Sequence, residues 1–334
     1  VERLILAPGT AENLWFCLVT KIYLQLTDHQ DHGNHSLSRY IVTPSTHPNL
    51  RLLRSAVFGT CIALLAWNED AVAALAADAG HPAAAVDAEQ CRQLLNSTQS
   101  HSSHGAFDPG NIQILNWNLK KGEERGWQSD LELLAAKSQL VMMQEASLDP
   151  AIIRNGGPAR YLSFAPGYRN KDLVSGVLTL SAVEPISECR LTAIEPWLGT
   201  PKATSITEYA LVGTPDTLVV VNIHSINFTF GIKDYRDQLQ QIRSALEDHS
   251  GPLIMTGDFN SWRLRRQHLL QQLVDELQLH TPDYGLDNRV KIFGYAIDHI
   301  YIRGFSSHPV ISPVVTSSDH NPMVVRLGLL GDDS

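Results

Sequence analysis

The chain has 334 residues, of which 43% are apolar and 18% charged, enough material for a sizeable folded core. A net charge of −9 excludes a broadly basic surface that would hold nucleic acid by counterion release alone, although a bound divalent cation would reverse the local field at a phosphate site. Four cysteines with no CxxC spacing exclude a disulfide scaffold and a zinc knuckle.

Residues 1–95 read as an irregular N-terminal segment rich in His and Ala. "HQDHGNH" brings His29, His32 and His35 close in sequence, but no cysteine or helical pattern supports a metal site, and a solvated loop is expected. "RLLRSAVFGTCIALLAW" (51–67) followed by "AVAALAADA" (71–79) has the order of a secretory signal: basic residues, an apolar tract, then small residues. The tract is too short for a transmembrane span, and none is predicted. Its position fifty residues in sits badly with a signal; a start at Val1 with no Met before Met142 fits a fragment or a start chosen too far upstream. A periplasmic or secreted location is favoured over a cytoplasmic one, against the alternative of an amphipathic or buried helix in an accessory region. Export would leave Cys91 and Cys189 in the mature part, able to pair; two unpaired buried thiols are the alternative.

"NSTQSHSSHGAFDPGN" marks a Ser/His/Gly/Pro linker over 96–110, and the rest, 111–330, reads as one domain. Strands are predicted at 111–118, 139–146, 175–182, 217–225, 252–260, 296–304 and 322–329. A capping box from Ser129 to Glu132 predicts a helix over "LELLAAK". Tyr235, Leu239, Ile242 and Leu246 recur at helical spacing, and 265–279 predicts a second helix of that kind. Mixed order of this sort fits packed sheets covered by helices.

In "LIMTGDFNSW" an apolar strand ends in Asp258 and Asn260, which an extended chain would point the same way. A strand running into an Asx-type turn suits the same residues, so both readings stand. Other strands also end in polar groups: Asn118, Glu145 and His224, with Asp298 inside "AIDHIYI" and Asp319 and His320 in the turn "SSDHNP". Each alone has an ordinary explanation as a cap, a rim carboxylate or a satisfied core histidine. Burying so many together is costly unless a cation or substrate pairs with them.

"NWNLKK", "MQEA", "SGVLTLS", "NIHSINF", "GDFNSW", "IDHIYIRG" and "SSDHNP", in this order, resemble the endonuclease/exonuclease/phosphatase superfamily, the DNase I-like proteins, and within it the bacterial YafD-like branch. The likeness covers about 111–330. It implies an α+β fold, a four-layer α/β/β/α sandwich with two packed mixed β-sheets, preceded by the irregular N-terminal segment. It also implies a Mg²⁺-dependent phosphoesterase, with Mn²⁺ as a substitute. Glu145 would be the principal ligand of the ion, aided by Asn118 and Asp319, since magnesium takes oxygen ligands from few protein groups and otherwise from water and phosphate. Asp258 would orient or deprotonate the attacking water, and Asn260 would hydrogen-bond a phosphate oxygen. His320 would meet the scissile phosphate with Asp298 behind it, and His224 matches a position that serves the leaving group as acid in pancreatic-type members but is a tyrosine in apurinic-type ones. Lys121 and Lys202 resemble positive positions of the branch, with solvated surface lysines as the alternative; Trp262 is read either as a stacking platform or as a packed rim residue.

The resemblance thus implies a hydrolase of phosphodiester or phosphomonoester bonds, most simply a nuclease or phosphodiesterase with nucleic acid as a candidate substrate, and a monomer is expected. The competing readings are a phospholipid or inositol-phosphate hydrolase on the same fold, and a non-catalytic binding scaffold. The last is disfavoured because every suspected position holds a competent residue type.

Overall fold

Strand side chains alternate between two faces, and in this chain both faces of the central strands are apolar. Ile112 and Ile114 share one buried cluster while Leu115 and Trp117 enter another; Leu218 and Val220 divide from Val219 and Val221 in the same way. Such two-faced strands need a layer on each side. The computed structural model, which describes residues 87–95 and 105–330 apart from 172 and 197, supplies those layers. The signal-like stretch at 51–79 and the histidines of "HQDHGNH" lie outside the described residues.

Two mixed sheets pack face to face. The eight-stranded sheet runs in the order β3 (Tyr161–Arg169), β4 (Val174–Ser181), β2 (Leu140–Ser147), β1 (Ile112–Asn118), β15 (Met323–Leu329), β14 (Val310–Ser312) and β9 (Tyr284–Asp287), with β13 (Phe305–Ser307) also on β15. The five-stranded sheet runs β12 (Asp298–Arg303), β8 (Leu253–Asp258), β7 (Thr217–His224), β6 (Pro201–Ala210) and β5 (Ser187–Ile194). A small pair, β10 (Lys291–Ile292) and β11 (Tyr295–Ala296), stands apart. The parallel pairs β1–β2 and β7–β8 lie inside their sheets, and a third, β9–β14, lies at an edge. Helices α2 (Trp127–Ala135) and α3 (Pro150–Asn155) cover the outer face of the first sheet, and α1 (Ala88–Leu95), α4 (Lys233–Ala245) and α5 (Leu264–Glu276) cover that of the second. This is the expected α/β/β/α sandwich.

All seven predicted strands form. β3, β5, β6 and the short strands β9, β10, β11, β13 and β14 had not been expected from the sequence, nor had α1 and α3. Residues 88–95, expected to be irregular, are helical: Asp87 Oδ1 accepts from Gln90 N at 2.9 Å as an N-cap, and Cys91 and Leu95, one turn apart, bury themselves against β5 and α4. Cys91 and Cys189 form a disulfide that ties α1 to β5, and Phe107 bridges to Leu211. The packed body therefore includes residues on both sides of the expected 96–110 linker. The capping box at Ser129 does not start α2. That helix begins at Trp127, after Gly126 at φ 91°, because burying Trp127, Leu131 and Ala135 on one stripe decides the start.

The inward-facing rows carry the fold's functional information. Along β1 the row reads Ile112, Ile114, Asn116, Asn118; along β2, Leu140, Met142, Gln144; along β7, Leu218, Val220, Asn222, His224; along β8, Ile254, Thr256, Asp258. Each is apolar at its start and polar at its C-terminal end. β12 is antiparallel to β8 and begins with its polar residue, Asp298 opposite Asp258. The polar ends collect at one rim. Just beneath them Gln144 Nε2 donates to Asn116 Oδ1 at 2.9 Å and to Asn222 Oδ1 at 2.7 Å, joining the two sheets by a buried amide network.

Candidate active site

Three of the predicted residues form a row across the five-stranded sheet: His224 lies opposite Asp258 in the β7–β8 register, and Asp258 opposite Asp298 in the β8–β12 register. The ladder itself sets their spacing. β8 approaches β7 so closely that a Cβ on Gly257 would meet Ile223 O at 2.0 Å, so only glycine fits between the two rows.

Asp258 is buried and central. Its Oδ2 accepts from Asn118 Nδ2 at 3.1 Å and Asn260 Nδ2 at 3.3 Å, with His224 Nε2 at 3.5 Å and His320 Nε2 at 4.0 Å. Burial pushes the Asp258 carboxyl well up from the usual carboxylate range, against the pull of His320. Asn260 reaches it by a different route from the extended one expected. The strand ends at Asp258, Asn260 takes φ 47°, and its backbone N–H donates to Asp258 Oδ1 at 2.9 Å. The Asx turn and the juxtaposition of polar tips are thus one structure, since asparagine tolerates the left-handed conformation.

His320 comes from the turn before β15. Trp117 Nε1 donates to His320 O at 2.9 Å, Ser318 Oγ donates to Asn118 O at 2.7 Å, and His320 N donates to Ser318 Oγ at 3.1 Å, so the end of β1 holds the turn. His320 Nδ1 donates to Asp298 Oδ2 at 2.8 Å, which fixes the tautomer and leaves Nε2 toward Asp258. Burial by itself lowers the imidazole, but the charge and hydrogen bond of Asp298, with Asp258 and Asp319 behind, overcome it and raise the group to about 10.

Glu145 is placed by an irregularity. β2 carries one extra residue relative to β4 between Met143, opposite Leu178, and Ala146, opposite Gly176. Glu145 sits in that bulge at φ 50°, a conformation that costs a non-glycine residue about 1–3 kcal/mol. Strict alternation would send it toward the helical layer; the bulge turns it to the rim, a quarter exposed, with Lys121 Nζ at 3.4 Å and His224 Nε2 at 3.8 Å. Lys202 Nζ lies 2.8 Å from His224 Nε2. Burial first, then Lys202, His320 and Lys121, drives the His224 imidazole well below its ordinary value. With the Lys202 ammonium as donor, His224 Nε2 accepts in that contact.

Lys121 and Lys202 thus both reach the site, not merely solvent. Asp319 does not join it closely: it is exposed, and among the described residues no hydrogen bond links it to Glu145 or Asn118. Trp262 lies one wall away, its Nε1 donating to Asn227 Oδ1 at 2.9 Å with the Arg263 guanidinium 4.1 Å over the ring. Two residues were missed. Arg266, fully buried, donates to Ile226 O, Asn260 O and Asn227 O at 2.7–2.9 Å, fixing the loops after β7 and β8. Glu195, also buried, receives the N–H groups of Asn227 and Phe228. A signal existed for Arg266, which falls on the helical stripe of Leu270, Leu273 and Val274 where an apolar residue belongs.

The residues present fit a divalent cation. Glu145 offers a carboxylate open to a cavity of about 450 Å³, with no hydrogen-bond donor nearer than 3.4 Å among the described residues, which suits a hard ion completed by water and phosphate. Ligand atoms of Asp258, Asp298 and His320 also lie within 4.8 Å of one another. There Nδ1 is already given to Asp298, an arrangement suited to proton handling.

Comparison with known proteins decides the family. Residues 115–320 match the model of the Endonuclease/Exonuclease/phosphatase family. The chain belongs to that family. A UPF0294 protein of Vibrio parahaemolyticus is 34% identical over 224 residues, covering 66% of this chain and 79% of the relative. Another from Klebsiella pneumoniae is 38% identical over 219 residues, covering 64% and 81%. Among solved structures, the family member from Beutenbergia cavernae superposes with a TM-score of 0.51 at 15% identity over 66% of this chain and 72% of that one, and one from Bacteroides thetaiotaomicron with 0.51 at 16% over 66% and 98%. These structures share the fold, and membership of the family implies a phosphoester hydrolase in general.

Proposed function

We propose that the protein is a Mg²⁺-dependent phosphoesterase, with Mn²⁺ as a substitute, that cleaves a phosphodiester or phosphomonoester bond by in-line attack of water, most simply as a nuclease or phosphodiesterase. The observation that carries this reading is the convergence of Asp258, His320–Asp298, Asn260 and Glu145 on one rim from both sheets. When bound, the ion would neutralise phosphate charge and polarise the phosphoryl group; Glu145 would hold it, with Asn118 and Asp319 as outlying oxygen donors.

The chain's own residues perform the proton work. Asp258, with its raised basicity, takes a proton from the attacking water as the new P–O bond forms. The His320 cation, oriented by Asp298, and the Asn260 amide face the negative charge that grows on the phosphoryl oxygens. The Lys202 ammonium, hydrogen-bonded to neutral His224, stands ready to meet the departing ester oxygen and supply its proton. Lys121 balances the carboxylate and phosphate on the Glu145 side.

A substrate panel tests this: plasmid DNA, single-stranded DNA, RNA, sphingomyelin, inositol phosphates and a chromogenic phosphodiester, each with Mg²⁺ or Mn²⁺ and with chelator. Turnover that chelator abolishes and metal restores is expected; turnover indifferent to chelator, or none of any substrate, would count against the proposal. We propose an exported protein as well, supported by the Cys91–Cys189 disulfide, since such bonds persist in oxidising compartments. Free thiols at both positions in periplasmic material would contradict the pairing, and absence of the protein from the periplasmic fraction would contradict export.

A further inference from the structure

The cavity that opens beside Glu145 and His224 extends well past any phosphate, and its far end is built of residues with no part in the chemistry above. The tip of the β5–β6 hairpin and the loop after β7 form that end. Glu195, 2% exposed, uses Oε1 to accept from Asn227 N at 2.6 Å and Phe228 N at 3.2 Å. Among the described residues its Oε2 receives no hydrogen bond, although the residue lines the cavity. A carboxylate oxygen left without a protein donor at a cavity wall is an acceptor for whatever enters the cavity.

The surroundings limit what that something is. Asn227 is held by Trp262 and Arg266, and Arg266 also holds Ile226 O, so this wall is rigid before any ligand enters. Tyr168 and Phe228 offer half-exposed aromatic faces, and Asn170 and Thr200 add polar groups. A carboxylate acceptor beside aromatic faces and amides matches a saturated ring with hydroxyl groups, whose C–H face packs on the aromatics while its O–H groups donate. At about 450 Å³ the space suits one such ring with its phosphate.

We propose that this cavity is a specificity subsite for a hydroxylated ring, a ribose or a cyclitol, esterified to the phosphate, and that Glu195 is its acceptor. The proposal rests on the phosphoester reading of the adjoining rim. Glu195→Gln isolates the oxygen in question, because the amide oxygen still accepts from Asn227 and Phe228 while the open position becomes an NH₂ donor.

The test is calorimetric binding of ribose 5-phosphate, myo-inositol 1-phosphate and phenyl phosphate, with no added divalent ion, to the whole chain and to Glu195→Gln. One hydroxylated ester should bind roughly tenfold or more tightly relative to phenyl phosphate, and the variant should lose most of that ratio. Which of the two binds better separates a nucleotide-type from a cyclitol-type substrate. A ratio near one in the unaltered protein, or a ratio that Glu195→Gln leaves intact, overturns the proposal; the first of these decides even if the variant does not fold. Hydrolysis of the same esters with Mg²⁺ separates this idea from the one beneath it. An intact binding ratio with no turnover of these esters or of any substrate in the panel above sinks the hydrolase and keeps the subsite, whereas equal turnover of ring and phenyl esters does the reverse.

Discussion

The two sheets contribute to the rim in different ways. From the five-stranded sheet come His224, Asp258 and Asp298, adjacent in register, buried, and spaced by backbone ladders. From the eight-stranded sheet comes Glu145, lifted out of register by a bulge, at positive φ and partly exposed. A ladder gives rigidity and leaves little room to adjust; a bulge at a rim gives a carboxylate that can follow a ligand. The division suits a site in which proton transfer demands fixed distances while an ion and its phosphate arrive from solution. It also separates two kinds of failure: changes in the ladder row should lower turnover, and changes at the bulge should alter the metal requirement.

His320→Ala is the strongest way to break the proton-handling side, because it removes the cation and strands Asp298 without its partner. We expect kcat to fall by about 10³-fold with the fold retained, checked by steady-state kinetics beside thermal unfolding; near-normal turnover would reject the assigned role. Glu145→Gln sharpens the other side. Outer-shell partners of metal ligands are worth roughly 10- to 100-fold in affinity, so loss of the ligand itself should raise the Mg²⁺ needed for half-maximal activity by no less. An unchanged metal titration would remove Glu145 from the ion's coordination.

A smaller effect distinguishes the two sides through pH. Folded His320 keeps its proton up to about 10 against an ordinary value of 6.5, so its pairing stabilises the fold fully below about 6.5 and loses that contribution as pH rises through 10. Thermal unfolding should therefore show the unaltered protein losing its advantage over His320→Gln between those limits. Two parallel curves would show that the pair does not form. Glu145→Gln, lying outside the pair, should follow the unaltered protein.

Much of this site was legible because a strand's period of two is strict. Once Ile114 and Val220 face the opposite sheet, Asn118 and His224 must do so too, and several strands whose inward rows end in polar residues announce a rim. The order of short motifs then supplied the roles. The bulge that presents Glu145 left no mark in "QLVMMQEA", since its cause is pairing with β4, a long-range event. The Asx turn of Asn260 was visible as one of two alternatives and proved compatible with the other. β5 and β6 escaped because "SECRLTAI" and "PKATSITEYA" mix charged, small and β-branched residues, and with them went the hairpin tip that carries Glu195. The Ser129 capping box shows a local signal losing to tertiary burial, where Trp127 had more to gain by entering the helix.

The central claim is that Asp258, buried amid Asn118, Asn260, His224 and His320, is the base of a metal-assisted phosphoester hydrolysis. Asp258→Asn keeps the shape and removes the basic oxygen, so its kcat/KM on a chromogenic phosphodiester at saturating Mg²⁺ tests the claim most directly. A loss of about 10³- to 10⁴-fold is expected, with unfolding at or above the temperature of the unaltered protein at neutral pH, because a carboxyl whose burial raises its pKa costs stability once ionised. Activity within a few-fold of the unaltered enzyme would contradict the account.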